Sequence, residues 1–206
     1  LQAAVDAVQG SGTIELTSSI ALSDQVTIDS GKTIILDMNG ETLSIGFSDS
    51  SKNLIVNNGT LTITGDGTFD ATEATSYKGF INNYGTLTVE NGTFQIADKA
   101  MTVHLRNQDG GKAVINGGTF SGGATIVRSF EGSNTTITGG SFTNSVYPAV
   151  DVNGETLITG GIFTNTSCSR CDSQNWGYTV RSGVDNDPDA KLTITPSSEG
   201  SVVVTG

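Results

Sequence analysis

The sequence repeats one short pattern along most of its 206 residues, and this repeat limits the folds that the chain can adopt. The most regular copy reads Thr-Leu-Ile-Thr-Gly-Gly-Ile-Phe at residues 156–163, an alternating strand followed by a glycine bend and a phenylalanine. The phenylalanines recur every 21 to 26 residues, at Phe69, Phe94, Phe120, Phe142 and Phe163. A fixed motif with such a period predicts a solenoid. Leucine-rich and helical repeats need other patterns, which these segments do not show.

Stacked coils give each repeated residue a physical role. Equivalent residues of neighbouring coils would lie about 4.8 Å apart, the spacing of paired strands. The five phenylalanines should then stack in the interior as one column, and the preceding aliphatic residues should form a second column at Ile63, Val89, Ile115, Ile137 and Ile158. The glycines allow the bend between the two strands.

Another strand precedes most copies of the motif, and it ends in Asn or Ser. These strands are predicted at residues 54–57, 80–83, 103–107, 126–129, 150–153 and 179–182. Side-chain amides that stack along a solenoid can hydrogen-bond to one another. We therefore predict a structural ladder of Asn and Ser side chains.

The start of the chain has a different pattern from the repeats. Apolar residues spaced as on one helix face predict a short helix over 1–9, which can cap the solenoid. We expect one β-helix domain over 1–206. It comprises this cap, the first coils at 12–46, regular coils at 53–163, a loop insertion at 164–178 and final coils at 179–206.

These segments together resemble a known family. The helix Leu-Gln-Ala-Ala-Val-Asp-Ala-Val, the strand Gly-Thr-Ile-Glu-Leu, the segment Ser-Gly-Lys-Thr-Ile-Ile-Leu and the Leu-Thr-Ile-x-Gly-Gly-Thr-Phe rungs resemble a right-handed, single-stranded parallel β-helix of the pectin lyase-like superfamily. The rungs look most like β-helical modules of bacterial cell-surface, adhesin-like proteins. The resemblance implies an extracellular or cell-surface location and a larger multidomain protein, and it leaves the activity open because a fold does not fix a function.

The charge balance excludes two classes of partner. The chain has 21 acidic and 10 basic side chains, for a net charge of −11. Nucleic acids and anionic membranes both favour clustered Lys and Arg, so we expect neither as a partner. No apolar run reaches the length of a membrane span, so we expect no direct membrane insertion.

Four residues occupy similar places in successive coils and are the weak candidates for a catalytic site: Arg106, Arg128, Asp151 and Arg181. Such a column could hold an acidic sugar or supply a base with a carboxylate partner. A surface ladder in which Asp151 relieves repulsion between the arginines is the alternative. His104, the single histidine, is predicted to be a solvated strand residue.

The loop insertion interrupts the repeat and is the second candidate site. It carries Trp176 and Tyr178, which with Arg181 are the candidate ligand-binding residues, since exposed aromatic side chains can stack on sugars. Covering the end of the core is the alternative role for Trp176. Cys168 and Cys171 lie in the same loop, where a local disulfide is a better prediction than a zinc site, which would need two more ligands.

Alternating carboxylates at Asp185, Asp187 and Asp189 give the one metal candidate, because Ca²⁺ prefers several oxygen ligands from a compact turn. The later positions of a hand-type calcium loop do not match, so an acidic solvated turn is the favoured interpretation and no cofactor is expected.

The sequence leaves three functional hypotheses. The first is a non-catalytic surface module, an adhesin or stalk, that binds a carbohydrate or a host surface protein. The second is a lyase or glycoside hydrolase that acts on an acidic polysaccharide, although no complete motif of either kind is present. The third and most remote is ice binding, which needs uninterrupted outward Thr columns; the candidate column is Thr62, Thr88, Val114, Thr136, Leu157 and Thr193.

Overall fold

The chain folds as an all-β parallel solenoid with one short helix at its start, as the repeat predicts. A computed structural model describes residues 1–47, 49, 51–73, 79–97, 102–144, 147, 149–165, 180–182, 191–194 and 202–205. The predicted division of residues 164–206 into a loop and final coils falls largely outside these ranges and stays a prediction.

Three parallel sheets form the walls of the solenoid in the part of the chain that the structure describes. The first sheet contains β1 (Ser11–Glu15), β4 (Thr33–Asp37), β7 (Thr60–Thr64), β10 (Thr86–Val89), β13 (Lys112–Ile115), β16 (Asn134–Ile137), β19 (Glu155–Ile158) and β22 (Lys191–Ile194). The second contains β2 (Ile20–Leu22), β5 (Thr42–Ile45), β8 (Thr68–Ala71), β11 (Thr93–Ile96), β14 (Thr119–Ser121), β17 (Ser141–Asn144), β20 (Gly161–Asn165) and β23 (Val202–Thr205). The third contains β3 (Val26–Ile28), β6 (Ile55–Asn57), β9 (Ile81–Asn83), β12 (Val103–Asn107), β15 (Thr125–Ser129), β18 (Val150–Val152) and β21 (Val180–Ser182).

The helix α1 (Gln2–Ala7) is shorter than the predicted range of 1–9. Val5 is its buried residue, and Leu1 and Val8 are partly buried against the core. The apolar spacing therefore predicted the buried face correctly, although the helix itself ends before Val8.

Two side chains attach this helix to the first coil. The amide of Gln2 donates to the carbonyl of Thr27 at 3.1 Å and accepts from the Thr27 N–H at 2.7 Å, so it satisfies backbone groups of β3, the terminal strand of the third sheet. The ammonium of Lys32 donates to the carbonyls of Val5 and Val8 at 2.8 and 2.9 Å, which satisfies carbonyls at the end of the helix.

The predicted aromatic column is present in the interior. The rings of Phe69, Phe94, Phe120, Phe142 and Phe163 stack with centroids 4.5 to 5.0 Å apart and nearly parallel planes. All five are buried, as is the aliphatic column from Ile63 to Ile158. The register of the first sheet aligns these aliphatic residues coil by coil, which confirms the predicted stacking.

The two glycines of the Gly-Gly bends at 117–118, 139–140 and 160–161 have different roles. The second glycine has a positive φ, for example 102° at Gly140, where other residues would be strained. The first glycine has a close backbone neighbour, since a Cβ on Gly117 would lie 2.5 Å from the carbonyl oxygen of Glu90 in the preceding coil. Both conformational freedom and lack of a side chain therefore fix the Gly-Gly pair.

The predicted Asn and Ser ladder is present from Asn57 to Ser129 and lies inside the solenoid, but the register places Val152, not the predicted Asn153, at the next position. Asn57 donates to Asn83 at 2.7 Å, and Asn83 donates to Asn107 at 2.8 Å. Asn107 donates in turn to the hydroxyl of Thr135 at 2.9 Å. Because these side chains are buried and have little access to water, each amide provides a hydrogen-bond partner for a polar group of its neighbour.

Candidate functional site

The outer face of the third sheet gathers the predicted Arg and Asp residues in one column. The register pairs Arg106 with Arg128, Arg128 with Asp151 and Asp151 with Arg181. In the other direction, Arg106 pairs with Asn82. The structure describes the strand that contains Arg181 but not that side chain.

Alternation along each strand explains why these residues face outward. In β9, Ile81 and Asn83 are buried in the interior, while Asn82 between them is partly exposed. Arg106 and Arg128 have the same position in β12 and β15, just before the inner ladder residue, and both are partly exposed. The outer column therefore runs along the solenoid, parallel to the internal Asn ladder.

A second column lies in the turn that follows the third sheet. It contains Tyr84, Gln108, Phe130 and Asn153, each directly after the last residue of its strand. Their N–H groups donate in the same way, to the carbonyls of Asn57, Asn83, Asn107 and Ser129 in the preceding coil, at 2.8 to 2.9 Å. Tyr84 and Phe130 are two coils apart, which corresponds to about 9.6 Å along the solenoid.

Arg106 and Arg128 both pack on Phe130. Their guanidinium carbons lie 5.3 and 5.0 Å from the centre of that ring, within the range of a cation–π contact. The Nε atom of Arg128 also lies 3.6 Å from a carboxylate oxygen of Asp151. These contacts hold two neighbouring positive charges against one apolar ring.

The electrostatics of the pair reflect this crowding. Partial burial, followed by the neighbouring charge of Arg128, lowers the pKa of Arg106, and Tyr84 has a smaller opposite effect. The Nε atoms of Arg106 and Arg128 are buried and have no hydrogen-bond partner among the described residues. The Nε–H groups of both arginines are therefore donors without an acceptor in these ranges.

Beside the arginines, three polar side chains form a short network. The side-chain amide of Gln108 donates to the side-chain oxygen Oδ1 of Asn82 at 2.6 Å, and the side-chain amide of Asn82 donates to the hydroxyl of Tyr84 at 3.2 Å. Tyr84 is 47% exposed, so part of its side chain is accessible at the surface, and its hydroxyl accepts the hydrogen bond from Asn82. We call this network together with Arg106, Arg128, Phe130 and Asp151 the third-sheet face.

An open groove adjoins the third-sheet face on the side of the first sheet. It has a volume of about 680 Å³ and is lined by the turn residues Asp109, Glu131, Gly132, Ser133 and Gly154 and by Asn134 and Glu155. Four turn residues follow β12 and β15, whereas two follow β9 and β18, so the longer turns project beside the shorter ones. The face therefore borders an acidic concavity.

The prediction for His104 was wrong, because this residue is buried and not solvated. It is 1% exposed, and its ring lies 5.4 Å from Phe80 and 6.0 Å from Phe120. Burial lowers its pKa to about 4. His104 precedes the alternating part of β12, at the corner of the coil, where the side chain points inward.

The other predicted site residues lie outside the described residues. These are the disulfide candidates Cys168 and Cys171, the ligand-binding candidates Trp176 and Tyr178, and the calcium candidates Asp185, Asp187 and Asp189. The predictions made for them stay predictions. In the described ranges, no group of three or more His, Cys, Asp or Glu side chains is arranged to hold a metal ion.

Sequence reasoning missed Asn82, Tyr84, Gln108 and Phe130. Their signal is positional, since each lies either in the outer column or directly after a strand-ending Asn or Ser. The aromatic residues at two such turn positions interrupt an otherwise polar series. That feature could have marked the face before its structure was known.

Comparison with protein-family models, with curated proteins and with solved structures finds no match for this chain. No described helix is long and apolar enough to cross a membrane. The third-sheet face is therefore the feature of this chain from which a function can be inferred.

Proposed function

We propose that this chain is a non-catalytic carbohydrate-binding module of a bacterial surface or secreted protein, and that it binds glycans on the third-sheet face. The observation that carries the proposal is the exposed ring of Tyr84, which is held by Asn82 beside two arginines that pack on Phe130. The resemblance of the rungs to β-helical modules of adhesin-like proteins and to the pectin lyase-like superfamily supports the same proposal.

Each part of the face supplies one kind of contact that sugars need. The ring of Tyr84 offers an apolar surface for the C–H face of a pyranose, and aromatic side chains with a polar group suit such amphipathic ligands. Amides and guanidinium groups donate to hydroxyl and carboxylate oxygens. Because the two columns follow the solenoid, an extended glycan would bind along its axis and across the strands.

The outer column itself holds one carboxylate, whereas those of Asp109, Glu131 and Glu155 line the adjoining groove. Glycoside hydrolysis generally needs two carboxyl groups roughly 5–10 Å apart. In the outer column of the third sheet, Asp151 is the one carboxylate among the aligned residues, and Arg128 lies beside it. A polysaccharide lyase is the second candidate function, because a lyase needs a base and the outer column places Arg128 beside the carboxylate of Asp151.

Binding to a glycan array, followed by calorimetry with the best oligosaccharide, tests the proposal. We expect Tyr84→Ala to weaken binding about tenfold, because a stacking contact of this kind contributes roughly 1 kcal/mol beyond the area that it buries. Ile35→Ala is the matched control, since Ile35 is 40% exposed on the first sheet.

Unchanged affinity of the Tyr84 variant would contradict this location for the site, and equal loss in the Ile35 variant would contradict its specificity. Incubation of the same oligosaccharides with the protein separates binding from catalysis. Unsaturated products that absorb in the ultraviolet would support the lyase, and new reducing ends without them would indicate hydrolysis. Binding to a host surface protein instead of any glycan would also overturn the proposal.

A further inference from the structure

We propose that Arg106 and Arg128 form an anion subsite, and that the glycan bound by this chain carries carboxylate or sulfate groups. This inference rests on the proposed function, because it specifies the ligand of the same face. The two sources of negative charge share one chemistry, a planar or tetrahedral oxyanion that accepts charge-assisted hydrogen bonds from guanidinium groups.

The first argument is the position of the arginines. Arg106 and Arg128, two of the four arginines in the chain, are neighbours in one outer column of a protein whose net charge is −11, and the strand register aligns Arg181 with the same row. Neighbouring strands place Arg106 directly beside Arg128, where two like charges repel each other. If these positions were only structural, uncharged polar residues would fill them without this repulsion. Asn82 is such a residue, at the equivalent position one coil earlier.

The second argument is that the charge of the pair is incompletely balanced. Asp151 lies 3.6 Å from Arg128, whereas Arg106 forms no ion pair among the described residues. The buried Nε atoms of both arginines have no hydrogen-bond partner in the same ranges. A bound oxyanion that accepts hydrogen bonds from the terminal nitrogen atoms of the two guanidinium groups would balance this charge.

The third argument is that the pair is already oriented. Both guanidinium groups pack on the ring of Phe130, which limits their freedom before a ligand arrives. An anion that binds them therefore needs less ordering of long side chains than it would on freely moving arginines. The neighbouring ring of Tyr84 can then contact the sugar that carries the anion.

Calorimetry with two pairs of oligosaccharides tests the subsite. One pair is an alginate hexasaccharide and its methyl ester, and the other is a dextran sulfate oligosaccharide and unmodified dextran of equal length. Each pair differs mainly in charge, so the first reports recognition of carboxylate and the second recognition of sulfate. We expect the wild-type protein to bind the charged member of at least one pair about tenfold more tightly than the neutral member.

Three variants test whether the preference for the charged member depends on Arg106 and Arg128. Arg106→Gln should remove about tenfold of the affinity for the charged member and leave the neutral member nearly unchanged. Lys112→Gln is the matched control, because it removes the same charge from an exposed position of the next strand, β13 in the first sheet, and should change neither affinity. Asp151→Asn should strengthen binding of the charged member several-fold, since Asp151 competes for Arg128.

Salt dependence of the wild-type protein provides a test that needs no variant. Raising the NaCl concentration from 0.05 to 0.5 M should weaken binding of the charged member and leave the neutral member unaffected. Equal affinity for both members of both pairs would overturn the anion subsite and leave the glycan-binding proposal intact. Equal weakening of both members by Arg106→Gln would also overturn it. Binding of none of the four probes would overturn the anion subsite, whereas the glycan array decides the glycan-binding proposal.

Discussion

At the scale of single residues, His104 shows how the interior of a solenoid controls an ionisable group. It belongs to a buried corner column, in which the other members are Leu54, Phe80, Ile126 and Ala149. Its Nε2 atom lies 3.2 Å from the carbonyl oxygen of Gly122, and its Nδ1 atom has no partner among the described residues. The neutral ring is therefore the form that fits this site.

The free energy of unfolding should fall as the pH is lowered through the range set by this histidine. The pKa in the folded state is about 4 and the ordinary pKa of histidine is 6.5, so between these pH values the unfolded state binds the proton and the folded state does not. Stability should therefore decrease from about pH 6.5 to pH 4, by on the order of 3 kcal/mol from this group. Urea unfolding at several pH values measures it.

His104→Leu is the control for this pH dependence, because Leu54 has the equivalent place in an earlier coil. All other ionisable groups are retained, so the difference between the two proteins isolates the histidine. Parallel pH profiles for the wild type and the variant would contradict the assignment.

At the scale of secondary-structure elements, the two sides of the third sheet have different roles. The inner side stabilises the fold, and the outer side is the proposed binding surface. In β9, Asn83 points inward and connects Asn57 to Asn107 through two short hydrogen bonds. Asn82 points outward and contacts Gln108 and Tyr84. Adjacent residues of the same type therefore have different roles, and their substitutions should differ accordingly.

Asn83→Ala should lower the free energy of unfolding by roughly 2–4 kcal/mol, because it leaves a buried donor of Asn57 and a buried acceptor of Asn107 without partners. Asn82→Ala should lower it by less than about 1 kcal/mol, since its bonds lie at the surface. Denaturant unfolding compares the two variants. A cost for Asn82→Ala that equals or exceeds that of Asn83→Ala would contradict the assignment of the inner and outer sides.

The repeat predicted the elements well because one register determines many contacts. Once the Gly-Gly and Phe positions align, pairing between coils stacks every equivalent residue, so the phenylalanine column and the Asn ladder follow from sequence spacing. Corners and turns do not obey that rule. His104 lies before the alternating residues of its strand, and the turns that carry Tyr84 and Phe130 differ in length, so neither burial nor exposure follows from the repeat.

The outer Thr column of the first sheet illustrates the same distinction. The register aligns Thr62, Thr88, Val114, Thr136 and Leu157 as predicted, and Val114 and Leu157 interrupt the hydroxyl groups. The alignment of this outer column was thus predictable from the spacing of the repeats. Because Val114 and Leu157 interrupt the row of threonine hydroxyl groups, the structure favours ice binding less than glycan binding.

At the scale of the whole molecule, the acidic charge and the basic column have complementary effects. A net charge of −11 keeps most of the surface unfavourable for anions, and the arginines of the third-sheet face form a local exception. An anionic glycan would therefore be attracted to these arginines and repelled by the rest of the surface, including the acidic groove beside them. The rigid stack of coils holds the two columns in fixed register along the direction in which an extended glycan would lie.

Backbone amide chemical shifts recorded during a titration with the best-binding oligosaccharide would show whether glycans bind on the third-sheet face. The largest shifts should fall on residues 82–84, 106–108 and 128–130, and the amides of the first-sheet strands β7 and β10 should be nearly unchanged. Saturable shifts confined to another sheet, or to residues 166–179, with none at Tyr84, Arg106 and Phe130, would contradict binding on this face.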